Sequence, residues 1–245
     1  MKRMLCLAAI ALVLAAPAFA QRARSQAFAS DFQTIPVMGN TPGAGATFQT
    51  FVALMNPTSS AYPVEVSLYD VNGTKRTATI NLAAGELKTY PNFLDAVFNG
   101  YVGGGAVTFK SPSPSNRFIV DVEVWTSGER YGTSIPPLEF AGTDSRSYAI
   151  GISVDSLTRT NIGCFNQTNA ANTVTATVKD KSGAATISTI TLNLPANAWR
   201  QAPVSSIVTD GYVVFDPSDA AVCYAVVVTN STDDGRFIPA TEFEP

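Results

Sequence analysis

Tyr62-Pro63-Val64-Glu65-Val66-Ser67-Leu68-Tyr69 alternates apolar and polar residues with a period of two. In an extended chain successive side chains point to opposite sides, so Val64, Val66 and Leu68 share one face. Asn72-Gly73 follows, the dipeptide preferred in type I′ hairpin turns because both central residues there take positive φ. Further β runs lie around this segment: Phe48 to Met55, Thr77 to Leu82, Ala106 to Lys110 and Phe118 to Trp125. Asn92 to Phe98 is the only helical hint among them, roughly two turns. Short strands punctuated by turn residues predict a β-sandwich.

A second set of runs follows: Thr158 to Phe165, Val174 to Lys179, Thr186 to Leu194, Gly211 to Phe215 and Val222 to Thr229. The two sets align. Thr50 to Asn56 lies over Thr160 to Asn166 at an offset of 110, which also matches Val64 with Val174, Asp70 with Asp180 and Gly73 with Gly183. The offset then becomes 112, placing Asn81-Leu82 on Asn193-Leu194 and Lys88 on Arg200. Ala106 to Phe109 matches Tyr212 to Phe215, and Ser134 to Phe140 matches Phe237 to Phe243. Ordered matches that include turn residues predict an internal duplication, each copy having the ordinary size of one domain. The expected fold is all-β, with two tandem β-sandwich domains over 31–141 and 142–245.

The first twenty residues have the parts of a secretory leader. Lys2 and Arg3 precede an apolar run from Leu5 to Ala16, and Ala18-Phe19-Ala20 fits the small-x-small cleavage pattern. Cleavage after Ala20 discards Cys6 and leaves a polar arm over 21–30. The apolar run of twelve residues, followed by Pro17, is too short to span a bilayer. Elsewhere the longest apolar stretch is Ala220 to Val228, nine residues. The expectation is a protein secreted to the extracellular space or periplasm, with no transmembrane segment. Phe28, Phe32, Ile35 and Val37 fit a first strand; exchange of that strand with a neighbouring subunit is the alternative.

Composition narrows the chemistry. Among 245 residues there is no histidine, which removes Ser-His and Cys-His nucleophile pairs and HExxH-type zinc sites. With Lys2 and Arg3 gone, 14 basic residues stand against 19 acidic, so the basic stripe of a nucleic-acid binder is missing. Gly103-Gly104-Gly105 lacks the Gly-Lys-Ser/Thr of a phosphate loop, and no Ser-x-x-Lys pattern occurs. No cofactor, metal or catalytic residue is expected. Cys164 and Cys223 are the cysteines left after cleavage, on different strands of the second copy. Export to an oxidising compartment predicts that they form a disulfide where the first copy has Leu54 and Ile119.

Ile35-Pro36-Val37, Pro42 to Phe48, Asn56-Pro57 and Tyr131 to Pro136 together resemble an uncharacterised, secreted bacterial β-sandwich repeat. Thr158 to Gly163, Asn166, Asp180, Gly183 and Phe237 to Ala240 resemble its companion form. The resemblance covers about residues 32 to 243. It implies an immunoglobulin-like or fibronectin-like fold, and it carries no catalytic residues. An antibody-type domain is not expected, because Trp199 lies 35 residues beyond Cys164 and not on the next strand.

One strand face invites a functional reading. Asp121, Glu123 and Trp125 alternate on one side, with Val120, Val122 and Val124 on the other. With Tyr131 they offer carboxylates and aromatic rings suited to a sugar; a pair of carboxylates is also the minimum for glycoside hydrolysis. The plain alternative is a solvated strand face. In the second copy the matching positions are Ala225 and Val227, which share a face with Cys223, so that face is covered or a bulge flips it. Asp216 to Asp219 and Asp233-Asp234-Gly235 read as turns, without the ligand spacing of a calcium loop. The functional expectation is a non-catalytic cell-surface structural, adhesion or interaction protein, its partner a surface protein or glycan. A carbohydrate-binding module using Asp121, Glu123, Trp125 and Tyr131 is the second reading.

Overall fold

A computed structural model describes residues 28–43, 47–126, 129–138 and 142–242. The leader (1–20) and residues 21–27 of the arm lie outside the described residues. In chain order the first half holds β1 (Ala29–Ser30), β2 (Phe32–Pro42), β3 (Thr47–Met55), β4 (Tyr62–Tyr69), β5 (Lys75–Leu82) and β6 (Leu87–Tyr90). Helix α1 (Phe93–Val97), β7 (Gly103–Lys110), β8 (Phe118–Thr126) and β9 (Glu129–Ser134) complete it. The second half holds β10 (Ser147–Val154), β11 (Thr158–Asn166), β12 (Asn172–Lys179), β13 (Thr186–Leu194) and β14 (Trp199–Val204). It ends with β15 (Val208–Pro217), β16 (Ala221–Thr229), β17 (Gly235–Pro239) and β18 (Thr241–Glu242). The protein is all-β, its sheets antiparallel and none of them closed.

The 62–69 segment behaves as its alternation dictates. Val64, Val66 and Leu68 are fully buried while Pro63 and Glu65 are exposed. The turn differs from the expected type I′. Of the pair Asn72-Gly73 only Gly73 has positive φ, at 79°, and its N–H donates to the Asp70 carbonyl. Asp70 is the reason: its carboxylate accepts the N–H groups of Asn72 and Thr74, both at 2.9 Å, and so shapes a five-residue connection. Asn92 caps α1, whose Phe93 and Leu94 are buried.

In the first half β5-β4-β7-β2 form one layer and β6-β3-β8-β9 the other, with β1 also on β8. β2 joins them by turning from β7 onto β3 at Asn40–Pro42. Its register on β7 shifts between Ile35 and Met38, the place where Pro36 has no N–H to give. Phe32, Ile35 and Val37 thus lie on β2, which pairs with β7 and β3. One core cluster, with Ile35, Leu54, Val66, Phe109 and Val120 among its members, fills the space between the layers. In the second half the sheets are β13-β12-β15-β10-β18 and β14-β11-β16-β17, with a separate core around Ile162, Cys164, Ala176, Phe215 and Cys223.

Cys164 and Cys223 are joined by a disulfide, S–S 2.08 Å. They stand directly opposite each other on the neighbouring strands β11 and β16. In the first half Leu54, the expected counterpart of Cys164, stands opposite Val120, and both are fully buried. Ile119, the expected counterpart of Cys223, instead stands opposite Met55 and is only half-buried. The correction is one residue, and burial sets it, because a one-residue slip would turn every side chain of the strand to the other face.

Candidate functional site

That correction reassigns the outer faces. Asp121, Glu123 and Trp125 correspond by register to Tyr224, Val226 and Val228, not to Ala225 and Val227. Val120 and Val122 point into the core, and the three outward residues are half-buried on the face of β6-β3-β8-β9. The Trp125 indole stacks on Phe51 with centroids 4.8 Å apart and planes 4° from parallel. Its N–H donates to Glu123 Oε2 at 2.6 Å. Gly132 stands directly across from Trp125, and a Cβ there would come within 2.7 Å of the indole, so the ring lies over the glycine. The structure therefore brings Asp121, Glu123 and Trp125 onto one face, where the Trp125 ring and the Glu123 carboxylate engage each other and Phe51 covers one side of the indole. The side chain of Tyr131 lies outside the described residues.

The acidic turns resolve into ordinary contacts. Asp216 pairs with Arg146 at 2.6 Å and Asp233 with Arg159 at 2.5 Å. Asp219 accepts the N–H of Ala220. Among the described residues no three His, Cys, Asp or Glu side chains gather as a metal site. Likewise, no helix of the described residues is long and apolar enough to cross a membrane.

The most elaborate arrangement is one the sequence reading did not name. Arg159, Asn161, Gly163 and Phe165 alternate on the side of β11 turned away from the Cys164 core. Opposite them on β16 stand Val228, Val226, Tyr224 and Val222, and β14 places Gln201 and Trp199 beside Gly163 and Phe165. A sheet face of this kind would normally meet water; here the first half covers it. Phe165 and Val222 pack with Ala106, Tyr69 and Leu138 in a third apolar cluster. The Trp199 ring lies against Gly104, where a Cβ would come within 2.9 Å. That contact accounts for the middle of the Gly103-Gly104-Gly105 run.

Hydrogen bonds lock this seam. The Trp199 backbone N–H donates to the Asp70 carbonyl at 3.1 Å. Gln167 Nε2 donates to Thr34 Oγ1 at 2.9 Å. Tyr224 is fully buried over Gly163, where a Cβ would come within 2.3 Å of its oxygen, and it stacks on Phe237. Its hydroxyl accepts the Trp199 indole N–H at 2.9 Å and donates to Gln201 Oε1 at 3.0 Å. Burial pushes the Tyr224 phenol far above its ordinary range, so it stays a neutral donor and acceptor. The sequence did carry a signal: Ala220 to Val228 is apolar without alternation, the pattern of a strand buried on both faces.

No family model matches the chain, and no curated protein matches it either.

Proposed function

We propose that the chain is an exported, non-catalytic structural, adhesion or interaction protein. In this reading it is built from two copies of one immunoglobulin-like sandwich, over 31–141 and 142–245, of the secreted bacterial kind it resembles. The observation that carries the proposal is what the repeated polar residues do. Asn56 and Asn166 are both fully buried. Asn56 donates to the carbonyls of Ser60 and Ala83 at 2.8 Å and accepts from Thr58; Asn166 donates to Ala170 and Pro195 at 2.8 Å and accepts from Thr168. Gly73 and Gly183 each donate to the carbonyl of the aspartate three residues earlier. The repeated asparagines and the Asp-Gly turns are thus spent on loop architecture, and none of these groups serves as a nucleophile, acid or base in this reading.

Strand order supports the duplication as well, since β5-β4-β7-β2 parallels β13-β12-β15-β10 and β6-β3-β8-β9 parallels β14-β11-β16-β17. The disulfide is compatible with export. The glycan reading draws on the same face as before, and the Phe51–Trp125 stack gives it an aromatic ridge. The test combines turnover and binding. Mature protein should give no turnover on a polysaccharide panel, and its signal on a glycan array decides between protein and glycan as partner. Turnover that disappears in Glu123→Ala would overturn the non-catalytic proposal.

A further inference from the structure

The seam does not close completely. Beside Trp199 it leaves a cleft of about 280 Å³ between the two halves, just below the usual range for ligand pockets, so it suits only a small molecule, and in a place where such pockets concentrate. Met38, Phe48 and Ile135 line it from one half, Val226 and Val228 from the other. Asn161 and Gln201 also line it, on the same face of adjacent strands. The Asn161 side-chain amide has no hydrogen-bond partner among the described residues, and Gln201 commits only its Oε1, to Tyr224. Arg159, a further lining residue, is held by Asp233 at 2.5 Å and Asn230 at 3.2 Å, which balances its charge.

From these contacts we infer that the cleft binds a small neutral molecule bearing an amide on an apolar body. A primary carboxamide offers a donor and an acceptor side by side, and another amide complements both. The apolar walls suit a methyl or ring attached to that amide. The Arg159–Asp233 pair leaves no uncompensated charge to draw in an ion, and an anion would have to displace Asp233. The cleft lies away from the Trp125 face, so this inference stands whether or not the outer surfaces bind a glycan.

N-acetylphenylalaninamide carries amides on an apolar body, and N-acetylglucosamine carries the methyl amide alone on a polar ring; the two stand for a peptide and a sugar source of the same amide. Each is titrated into oxidised protein of residues 21–245 while the side-chain amide signals of Asn161 and Gln201 and both indole N–H signals are followed by NMR. A ligand of this size in a preformed cleft predicts saturable shifts with a Kd of about 1 mM. The shifts should fall on Asn161, Gln201 and Trp199, not on Trp125. Asn161→Leu should weaken binding at least about tenfold by leaving the ligand amide unpaired. Val228→Phe, which fills the cleft with an apolar ring, should abolish binding while the remaining spectrum keeps its dispersion. Absence of saturation by both compounds at about 10 mM overturns the inference. So does equal binding by Val228→Phe, or a response confined to Trp125.

Discussion

Tyr224→Phe removes one oxygen from the centre of the seam and keeps the ring. The stack on Phe237 and the cover over Gly163 are retained, so the 3–5 kcal/mol expected from deleting a buried aromatic ring does not arise. Two hydrogen bonds are lost, from Trp199 Nε1 and to Gln201 Oε1. Gln201 is exposed and recovers water, whereas the indole N–H of half-buried Trp199 is left poorly paired. The expected loss is therefore about 1–2 kcal/mol. Charge adds a second signature. The folded-state phenol is raised by burial, so its contribution is fully present below the unfolded value near pH 10 and is lost as pH rises above it. For this one group the slope is at most about 1.4 kcal/mol per pH unit, and Tyr224→Phe should flatten the alkaline limb by that amount. Urea denaturation at pH 7 and at pH 11, with Trp199→Phe completing a double-mutant cycle, reads both effects. A variant as stable as the parent with an unchanged alkaline limb would refute the reasoning.

The disulfide closes a loop with a sequence separation of 59, so Cys164→Ala with Cys223→Ala should cost about 4 kcal/mol or more in chemical denaturation. Mass spectrometry of the non-reduced protein should find the link, and two free thiols would contradict it. Asn56→Ala and Asn166→Ala should each cost about 1–3 kcal/mol, because each removes a fully buried amide from two carbonyls and a backbone N–H of a loop whose own residues are half-buried or exposed and recover only part of that bonding from water. Similar losses are expected because the bonds are the same, and a silent Asn166→Ala would break the equivalence. Asp180 is held below the usual carboxylate range, first by the Ser182 hydroxyl and then by the Ala185 N–H. Its contribution is present above about pH 3.9 and is lost as pH falls through the lowered value, so Asp180→Asn should show a shallower acid limb.

The hairpin at 62–82 is legible in the sequence because burial and solvent alternate on β4, and that pattern fixes register without reference to the rest of the chain. Its turn is less legible, since Asn72-Gly73 has the right chemistry for one turn type while Asp70, two residues upstream, selects another. The Cys164–Cys223 link was legible because the expected leader takes Cys6 with it and leaves these two cysteines. Its counterpart in the first half was displaced by one residue, because Phe118 to Val120 is apolar at every position and gives no alternation to anchor an alignment. The seam depends on residues far apart in the chain: Trp199 lies on Gly104, and the Trp199 N–H meets the Asp70 carbonyl. Local patterns carry no trace of such contacts beyond the two-sided apolar run on β16. The Asp121, Glu123 and Trp125 face was legible as a shared face, but its stacking partner Phe51 comes from pairing with β3.

The account depends most on the two halves being held in one fixed arrangement by the seam. Nitroxide labels at Leu87→Cys and Ile207→Cys place one probe on each half, at positions 58% and 78% exposed, with the native disulfide kept oxidised. Double electron–electron resonance between them should give a single narrow distance distribution, and Gly104→Leu, which drives a side chain into the Trp199 ring, should broaden it. A broad distribution in the parent protein, unaltered by Gly104→Leu, would mean that the halves move independently and would contradict the account.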